Sequence, residues 1–493
     1  MIRSEQRELK HGLGVLVLRS CGLKKPIIRF TWAGRGTECY SAVVRKLFST
    51  WSFHVFLIRV CYLILACPVV DFPDDWPRFR GPSGAGIAFD SESIPSRWDT
   101  DQHLAWKVAL PGPGASSPII VGQKVFVTSY SGYGLERGDP GELENLVRHL
   151  VCFDLQTGEK LWQQDIPAVL PEDPYDQSGV SSHGYASHTP VSDGTQVYCF
   201  FGKSGVHAFD LEGKALWSAE VGKGSDPPRW GSSSSPVVYG STLVVTAAAE
   251  SQSIIGLDTS TGRRIWQYRS KGLDGMWGTP SLVRLGQDRV DLVLLVPGEL
   301  WGFDPKGGTR RWQVPATTSQ QAYTSVLFEG QRVFAFSGQG GGSLAVDIDP
   351  HDVEPEQGTS LAWASPVAAT YATPVVYNSK IYVVSKGILS VLEACSGKQL
   401  EKRRLKGTRR LGNARFGSLD YASPVVVDQR LFWLNASGQV FVFQLADKTE
   451  LVAVNDLGSE GEVFWGTPAV SNGHMLLRSS RFLYCIAGET ESP

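Results

Sequence analysis

The feature that most constrains this 493-residue chain is a motif that returns eight times: an aromatic or glycine, a small residue and one or more hydroxyls, leading into a short β-like run. The copies begin Gly114-Ala115-Ser116-Ser117-Pro118, Tyr185-Ala186-Ser187-His188-Thr189-Pro190, Trp230-Gly231-Ser232-Ser233-Ser234-Ser235-Pro236 and Trp277-Gly278-Thr279-Pro280. They continue Tyr323-Thr324-Ser325-Val326, Tyr371-Ala372-Thr373-Pro374, Tyr421-Ala422-Ser423-Pro424 and Trp465-Gly466-Thr467-Pro468. From Pro190 onward the spacing is 44 to 50 residues, with Val326 in place of proline once. A period of that size with several short strands per unit predicts an all-β, eight-bladed β-propeller of four-stranded antiparallel blades.

Within a repeat, an apolar strand follows the proline and a Gly or Asp turn leads to a second strand, as in Lys380-Ile381-Tyr382-Val383-Val384. A third strand enters a tight turn and the fourth carries tryptophan, most clearly in Asp154-Leu155-Gln156-Thr157-Gly158-Glu159-Lys160-Leu161-Trp162 and Asp258 to Trp266. The turn calls for glycine at positive φ and for Asp or Thr to satisfy backbone donors. Trp106, Trp162, Trp217, Trp266, Trp312 and Trp363 are the expected blade-docking residues, each offering a large flat surface to the neighbouring blade. Glu401 and Val452 stand near the tryptophan's place in repeats six and seven. Repeat eight ends early, so a strand at about 104–110, containing Ala105-Trp106-Lys107, is expected to complete it and close the ring. The first repeat carries insertions around 131–148 and 167–184, of a length that forms a lid or partner site on one face.

Residues 1–70 do not read as folded domain; 71–103 read as a Pro/Gly-rich lead-in, 104–489 as the propeller and 490–493 as a tail. Residues 1–70 hold 11 Lys/Arg against 3 Asp/Glu, and the remainder 36 against 46. A basic head with an apolar run from Phe53 to Val70 behind Arg45-Lys46 resembles a secretory signal, so the chain is expected in the periplasm or at the cell surface. The run starts late, which points to translation from near Val43 or Val44; Cys67 follows a poor lipidation box. Cys152, Cys199, Cys395 and Cys485 sit singly in separate repeats without metal-ligand spacing. Cys152 and Cys485 hold equivalent places in neighbouring blades, and buried thiols are expected there in preference to a disulfide. The only basic cluster, Lys402-Arg403-Arg404 with Arg409-Arg410, reads as solvated, so nucleic acid is not an expected partner and a monomer is.

The Asp-x-x-Thr-Gly-x-x-x-Trp turns resemble the repeats of the pyrroloquinoline quinone (PQQ)-like propeller family over about residues 98–489, and Asp75-Trp76-Pro77-Arg78-Phe79-Arg80-Gly81-Pro82 looks like the lead-in of its exported members. The resemblance implies one of two branches. One comprises quinoprotein alcohol or sugar dehydrogenases holding PQQ and calcium; the other comprises non-catalytic propellers of the outer-membrane assembly lipoprotein type, which bind proteins. The chain has no Cys-Cys pair and no CxxCH haem attachment, and Asp274, Glu299, Asn413 and Asp420 are loose calcium candidates without a matching local motif. The expectation is therefore a binding scaffold without catalytic residues, resident metal or cofactor, with protein partners in the cell envelope; a quinoprotein oxidoreductase is the alternative and a carbohydrate-binding propeller the second.

Candidate ligand-binding residues follow from the motif. Tyr185, Trp230, Trp277, Tyr323, Tyr371, Tyr421 and Trp465 should begin the innermost strands and ring one mouth of the channel, either as a collar for a flat or sugar-like ligand or as packing between blades. His183 and His188 are read as solvated loop histidines beside that mouth, and Arg229 and Arg415 as cations able to meet an anionic ligand there. Glu172-Asp173-Pro174-Tyr175-Asp176 lacks the ligand ladder of a dedicated calcium loop, and Ser232 to Ser235 lack a nucleophile elbow.

Overall fold

Eight sheets, each led by its innermost strand, follow one another along the chain from residue 119 onward in a computed structural model. It describes residues 28–32, 40–44, 75–88, 94–136, 138–174, 183–286, 289–317, 319–338, 341–349, 359–409, 420–458 and 461–488. Two units separate: residues 1–73, in which Ile28–Trp32 pairs antiparallel with Tyr40–Val44, and residues 74–493, the propeller. The rest of the leader reading, with the Phe53–Val70 run and Cys67, lies outside the described residues, as do Asn413, Arg415 and the 490–493 tail.

Blade one comprises Ile119–Val121, Lys124–Ser131, Val147–Asp154 and Lys160–Pro167, paired in that order. The innermost strands of the others are Val191–Ser192, Val237–Tyr239, Ser281–Leu285, Leu327–Glu329, Val375–Tyr377, Val425–Val427 and Ala469–Ser471. Middle strands such as Thr242–Ala247 are buried throughout because both faces of a blade pack on neighbours, which is why they read as unbroken apolar runs. Leu104–Ala109 pairs antiparallel with Phe482–Ala487 and supplies the fourth strand of blade eight, closing the ring.

The recurring tryptophan has a two-part seat. In every blade the register between third and fourth strands slips by one residue, as at Cys152/Phe153, Gly256/Leu257 and Cys485/Ile486. That bulge turns the tryptophan toward the next blade and leaves the preceding residue outside; Leu161, Leu216 and Ile265 are exposed for this reason. The residue paired with the tryptophan is small: Cys152, Ala208, Gly256, Gly302, Ala345 and Cys485. A Cβ on Gly256 would fall 2.3 Å from the Trp266 ring. The equivalence of Cys152 and Cys485 thus reflects a shared packing role; both are free and buried, as is Cys199, whereas Cys395 is exposed.

The ring then lies against the turn glycine of the following blade. A Cβ on Gly158, Gly213, Gly262, Gly308 or Gly397 would come within 2.4 to 2.7 Å of Trp106, Trp162, Trp217, Trp266 and Trp363 respectively. Four of these indoles also donate across the blade boundary, Trp106 to Leu155 O, Trp162 to Leu211 O, Trp217 to Thr259 O and Trp363 to Ala394 O, at 2.9 to 3.1 Å. Trp312 instead donates to the buried carboxylate of Asp291, which Arg289 and Arg311 also hold. Glu401 replaces the indole contact with two hydrogen bonds from the blade-seven turn, accepting from Thr449 N and Thr449 Oγ1. In blade seven the register places Ala453, one beyond Val452, at the tryptophan position.

The lead-in has a role that its sequence does not announce. Trp76 exchanges two backbone hydrogen bonds with Ile120 of blade one, and Pro77 O accepts from Ser192 N of blade two. Arg80, fully buried, donates to Thr373 O at 2.6 Å and Pro374 O at 2.7 Å in blade six, and Ile87–Ala88 pairs parallel with Val425–Val427 of blade seven. Residues 75–88 therefore run along the innermost strands across the ring and stop one end of the channel.

Candidate functional site

The channel is open at the other end, where the motif residues gather. They precede the innermost strands, which begin one residue after the hydroxyl-Pro step or later, so the aromatics stand above the strands at the mouth. Six form a continuous arc: Trp230, Trp277, Tyr323, Tyr371, Tyr421 and Trp465, with successive ring centroids 5.4, 5.0, 4.9, 4.8 and 6.1 Å apart. Trp277 and Tyr323 lie nearly parallel, 14° between planes, and the other pairs are tilted or edge-on. Ring faces are therefore spent partly on each other, which is the packing role the motif allowed. Trp230 and Trp465, at the ends, have an arc neighbour on one side only.

Tyr185 departs from the expectation that seven aromatics share the ring. It is buried against Tyr130 and Tyr133, and its hydroxyl donates to Asp173 O at 2.8 Å. The first-blade insertion causes this, because Tyr130, Tyr133 and Leu146 make a small core of their own that captures the side chain. Gly114 leaves the neighbouring place without a ring, and His183 lines the cavity near Trp230.

Beneath the aromatics the hydroxyl before each proline performs a structural task. Ser117 N donates to Thr189 Oγ1, Thr189 N to Ser235 Oγ and Ser235 N to Thr279 Oγ1, at 2.9 to 3.0 Å. Ser325 N donates to Thr373 Oγ1, Thr373 N to Ser423 Oγ, Ser423 N to Thr467 Oγ1 and Thr467 N to Ser117 Oγ, at the same lengths. Seven of the eight blades thus satisfy a buried N–H of the one before, with blade one doing so for blade eight. The single break is at Ser325, whose Oγ has no partner. The small residue of the motif permits the approach: a Cβ on Gly278 would lie 2.3 Å from Thr324 O.

Collar, hydroxyl ring and Phe79 of the lead-in together line a cavity of about 160 Å³. Its side lining also includes Ala115, Ser187 and Ser233, with His183 the one titratable side chain besides the tyrosines among the described residues. Beside it, sharing His183, Ser187 and Trp230, is a polar annex of about 40 Å³ built from the loops of blades one to three. Glu172 pairs there with Arg148, and Asp173 with Lys203 at 3.0 Å, all four side chains buried. These acids, from the segment considered for calcium, are committed to ion pairs; Tyr175 and Asp176 of that segment lie outside the described residues. Asp226 accepts from Trp230 N and Gly231 N, and Ser232 donates to Glu250 Oε1 at 2.6 Å.

The two histidines are not solvated. His183 bridges Ser187 Oγ and Trp230 O, and burial lowers its pKa; His188 is buried against Phe200, 3.1 Å from Ser232 Oγ, and burial pushes its pKa down to about 3. Both are neutral imidazoles at pH 7. Burial raises the Glu250 carboxyl to about 7 and raises Asp226 as well. Arg229 is exposed and does not line the cavity. Arg148, Lys203, Asp226 and Glu250 had no linear signal, since they come from different blades and meet only in the closed ring.

A PQQ-type cofactor would need oxygen ligands converging on calcium. Asp274 instead holds Gln252 Nε2, Glu299 holds Trp301 Nε1, and Asp420 caps Ala436 N. Among the described residues no three His, Cys, Asp or Glu side chains cluster in a metal-binding arrangement. Asp274, Glu299 and Asp420 are thus engaged apart from one another and do not fit the group as a calcium set; Asn413 lies outside the described residues.

No curated protein matches the chain. The solved structure of BamB from Moraxella catarrhalis is similar in fold, with 14% identity, 79% of this chain and 98% of that chain covered, and a TM-score of 0.54. The quinohemoprotein alcohol dehydrogenase from Comamonas testosteroni is 11% identical over 85% of this chain and 82% of its own, with a TM-score of 0.39. The family model described as outer membrane protein assembly factor BamB matches residues 96–223 and 147–399, together more than half of the chain. With its eight PQQ-like blades and closed ring, the chain belongs to the family of the outer membrane protein assembly factor BamB.

Proposed function

We propose that the protein is an exported, non-catalytic binding scaffold that holds a flat or ring-bearing ligand, or a segment of an envelope protein, at the open mouth of its channel. The carrying observation is the cavity wall: six aromatic side chains over a ring of Ser and Thr, with a floor formed by Phe79. Aromatic walls with a few fixed polar atoms are the composition of recognition sites. The basic, apolar leader supports export, and membership of a family named for outer-membrane assembly supports a protein partner in the envelope. The blade-one insertions add surface on the mouth side, the face a partner would meet.

A photo-crosslinking residue at Arg229, exposed on the mouth side, tests this against one at Lys214, in a turn on the opposite face. A discrete envelope-protein adduct from position 229 and none from 214 is expected. Equal labelling from both, or none from 229, overturns partner capture at the mouth.

A further inference from the structure

We propose that the polar annex beside the mouth binds the cationic end, an ammonium or guanidinium group, of a ligand whose ring-bearing body sits in the aromatic collar. The inference rests on the reading that the mouth is a binding site, and it names the ligand's chemistry.

Among the described residues, charge pairing at the annex leaves one group over. Glu172 is matched by Arg148 and Asp173 by Lys203, whose Nζ also donates to Ser225 Oγ at 2.8 Å. Asp226 is capped by two backbone N–H groups, and both histidines are neutral. Glu250 remains. It is 5% exposed, its Oε1 accepts from Ser232, and its Oε2 has no partner although it belongs to the annex lining. His188 Nδ1 is a second buried polar atom without a partner, on the same Glu250–Ser232–His188 chain of contacts. A buried carboxylate oxygen left unpaired is costly, and a cation is what removes the cost. An anion would meet Glu172, Asp173 and Glu250, with both local cations already engaged.

Size and neighbourhood set the rest of the ligand. A cavity of about 40 Å³ takes a head group of a few heavy atoms, not a ring. Its shared lining with the collar at Trp230, His183 and Ser187 places a tethered ring against the free side of Trp230, where the arc ends. Indole faces favour cations passing across them. Burial raises the Glu250 carboxyl to about 7 against the opposing hydrogen bond from Ser232, with a smaller like-charge push from Glu172 and Asp226, so taking up a cation releases a proton.

Calorimetry of the full chain with tryptamine, with neutral 3-ethylindole and with indole-3-propionate tests the inference. Tryptamine is expected to bind at least tenfold more tightly than 3-ethylindole, and indole-3-propionate more weakly than either. In two buffers of different ionisation heat, tryptamine binding should release protons, its affinity falling by up to about tenfold per pH unit below 7. Glu250→Gln, which keeps the Ser232 contact, should erase the tryptamine preference and leave 3-ethylindole unchanged. Equal binding of tryptamine and 3-ethylindole overturns the annex while leaving the mouth reading intact; no indole binding at all overturns both. Calcium chloride competing with tryptamine at stoichiometric levels would show a metal site instead. Should Glu250→Gln melt early, the proton release of the unaltered protein decides alone.

Discussion

Replacing Thr373 by valine removes one oxygen from the hydroxyl ring while keeping the side chain's shape. Thr373 Oγ1 accepts from Ser325 N at 2.9 Å, and both residues are buried in the cavity wall, so valine leaves a buried N–H without its protein partner. An unsatisfied buried donor costs about 1–3 kcal/mol. With a urea m-value of about 3 kcal/mol/M, that lowers the midpoint by about 0.3–1 M. Ser325→Ala is the internal control, because the Ser325 hydroxyl has no partner and its removal should change stability by no more than about 0.5 kcal/mol. Urea unfolding followed by tryptophan fluorescence reads both. Thr373→Val matching Ser325→Ala would refute the view that these hydroxyls tie blade to blade.

Three further outcomes follow from the same contacts. Trp162→Ala should destabilise by about 3–5 kcal/mol, since the indole fills the seat against Gly213 and donates to Leu211 O; a near-neutral shift in chemical unfolding would contradict its docking role. Burial raises the Glu250 carboxyl from its ordinary value of 4.5 to about 7, so between those values the folded state keeps a proton the unfolded chain has lost. Its contribution to stability therefore falls as pH rises through that window, by about 3 kcal/mol, and Glu250→Gln should flatten this slope in pH-dependent unfolding. Of the four described cysteines, Cys395 alone should react with a thiol reagent in the native protein, as peptide mapping would show; labelling of Cys152, Cys199 or Cys485 at a similar rate would contradict their burial.

Much of the frame is legible in residues close together in the chain. The Asp-to-Gly turn and its tryptophan read directly, because the positive φ at Gly158 and the donors satisfied by Asp154 are local. Ring closure by Ala105-Trp106-Lys107 was readable because one repeat lacked its last strand. What escaped depends on partners in other blades. A serine or threonine before each proline is visible, but not that it accepts from the preceding blade. Tyr185 carries the same motif as its six counterparts, and only the Tyr130–Tyr133 core, reached through an insertion, draws it away. His183 and His188 sit in a loop whose polar sequence suggests solvent exposure, yet His183 is held between Ser187 and Trp230 O and His188 packs against Phe200. The annex has no spacing signal, since Arg148, Lys203 and Glu250 come from three successive blades. Residues 71–103 read in sequence only as a Pro/Gly-rich lead-in, and the role of residues 75–88 as a stop follows from Trp76 binding blade one and Arg80 binding blade six.

The proposed scaffold recognises a ligand or partner at its mouth without quinoprotein chemistry. Titrating the purified protein with PQQ, with and without calcium, and following tryptophan fluorescence tests it most directly, because Trp230, Trp277 and Trp465 line the cavity. No saturable calcium-dependent binding is expected. Calcium-dependent binding at micromolar or tighter affinity would contradict it and place the protein with the dehydrogenases.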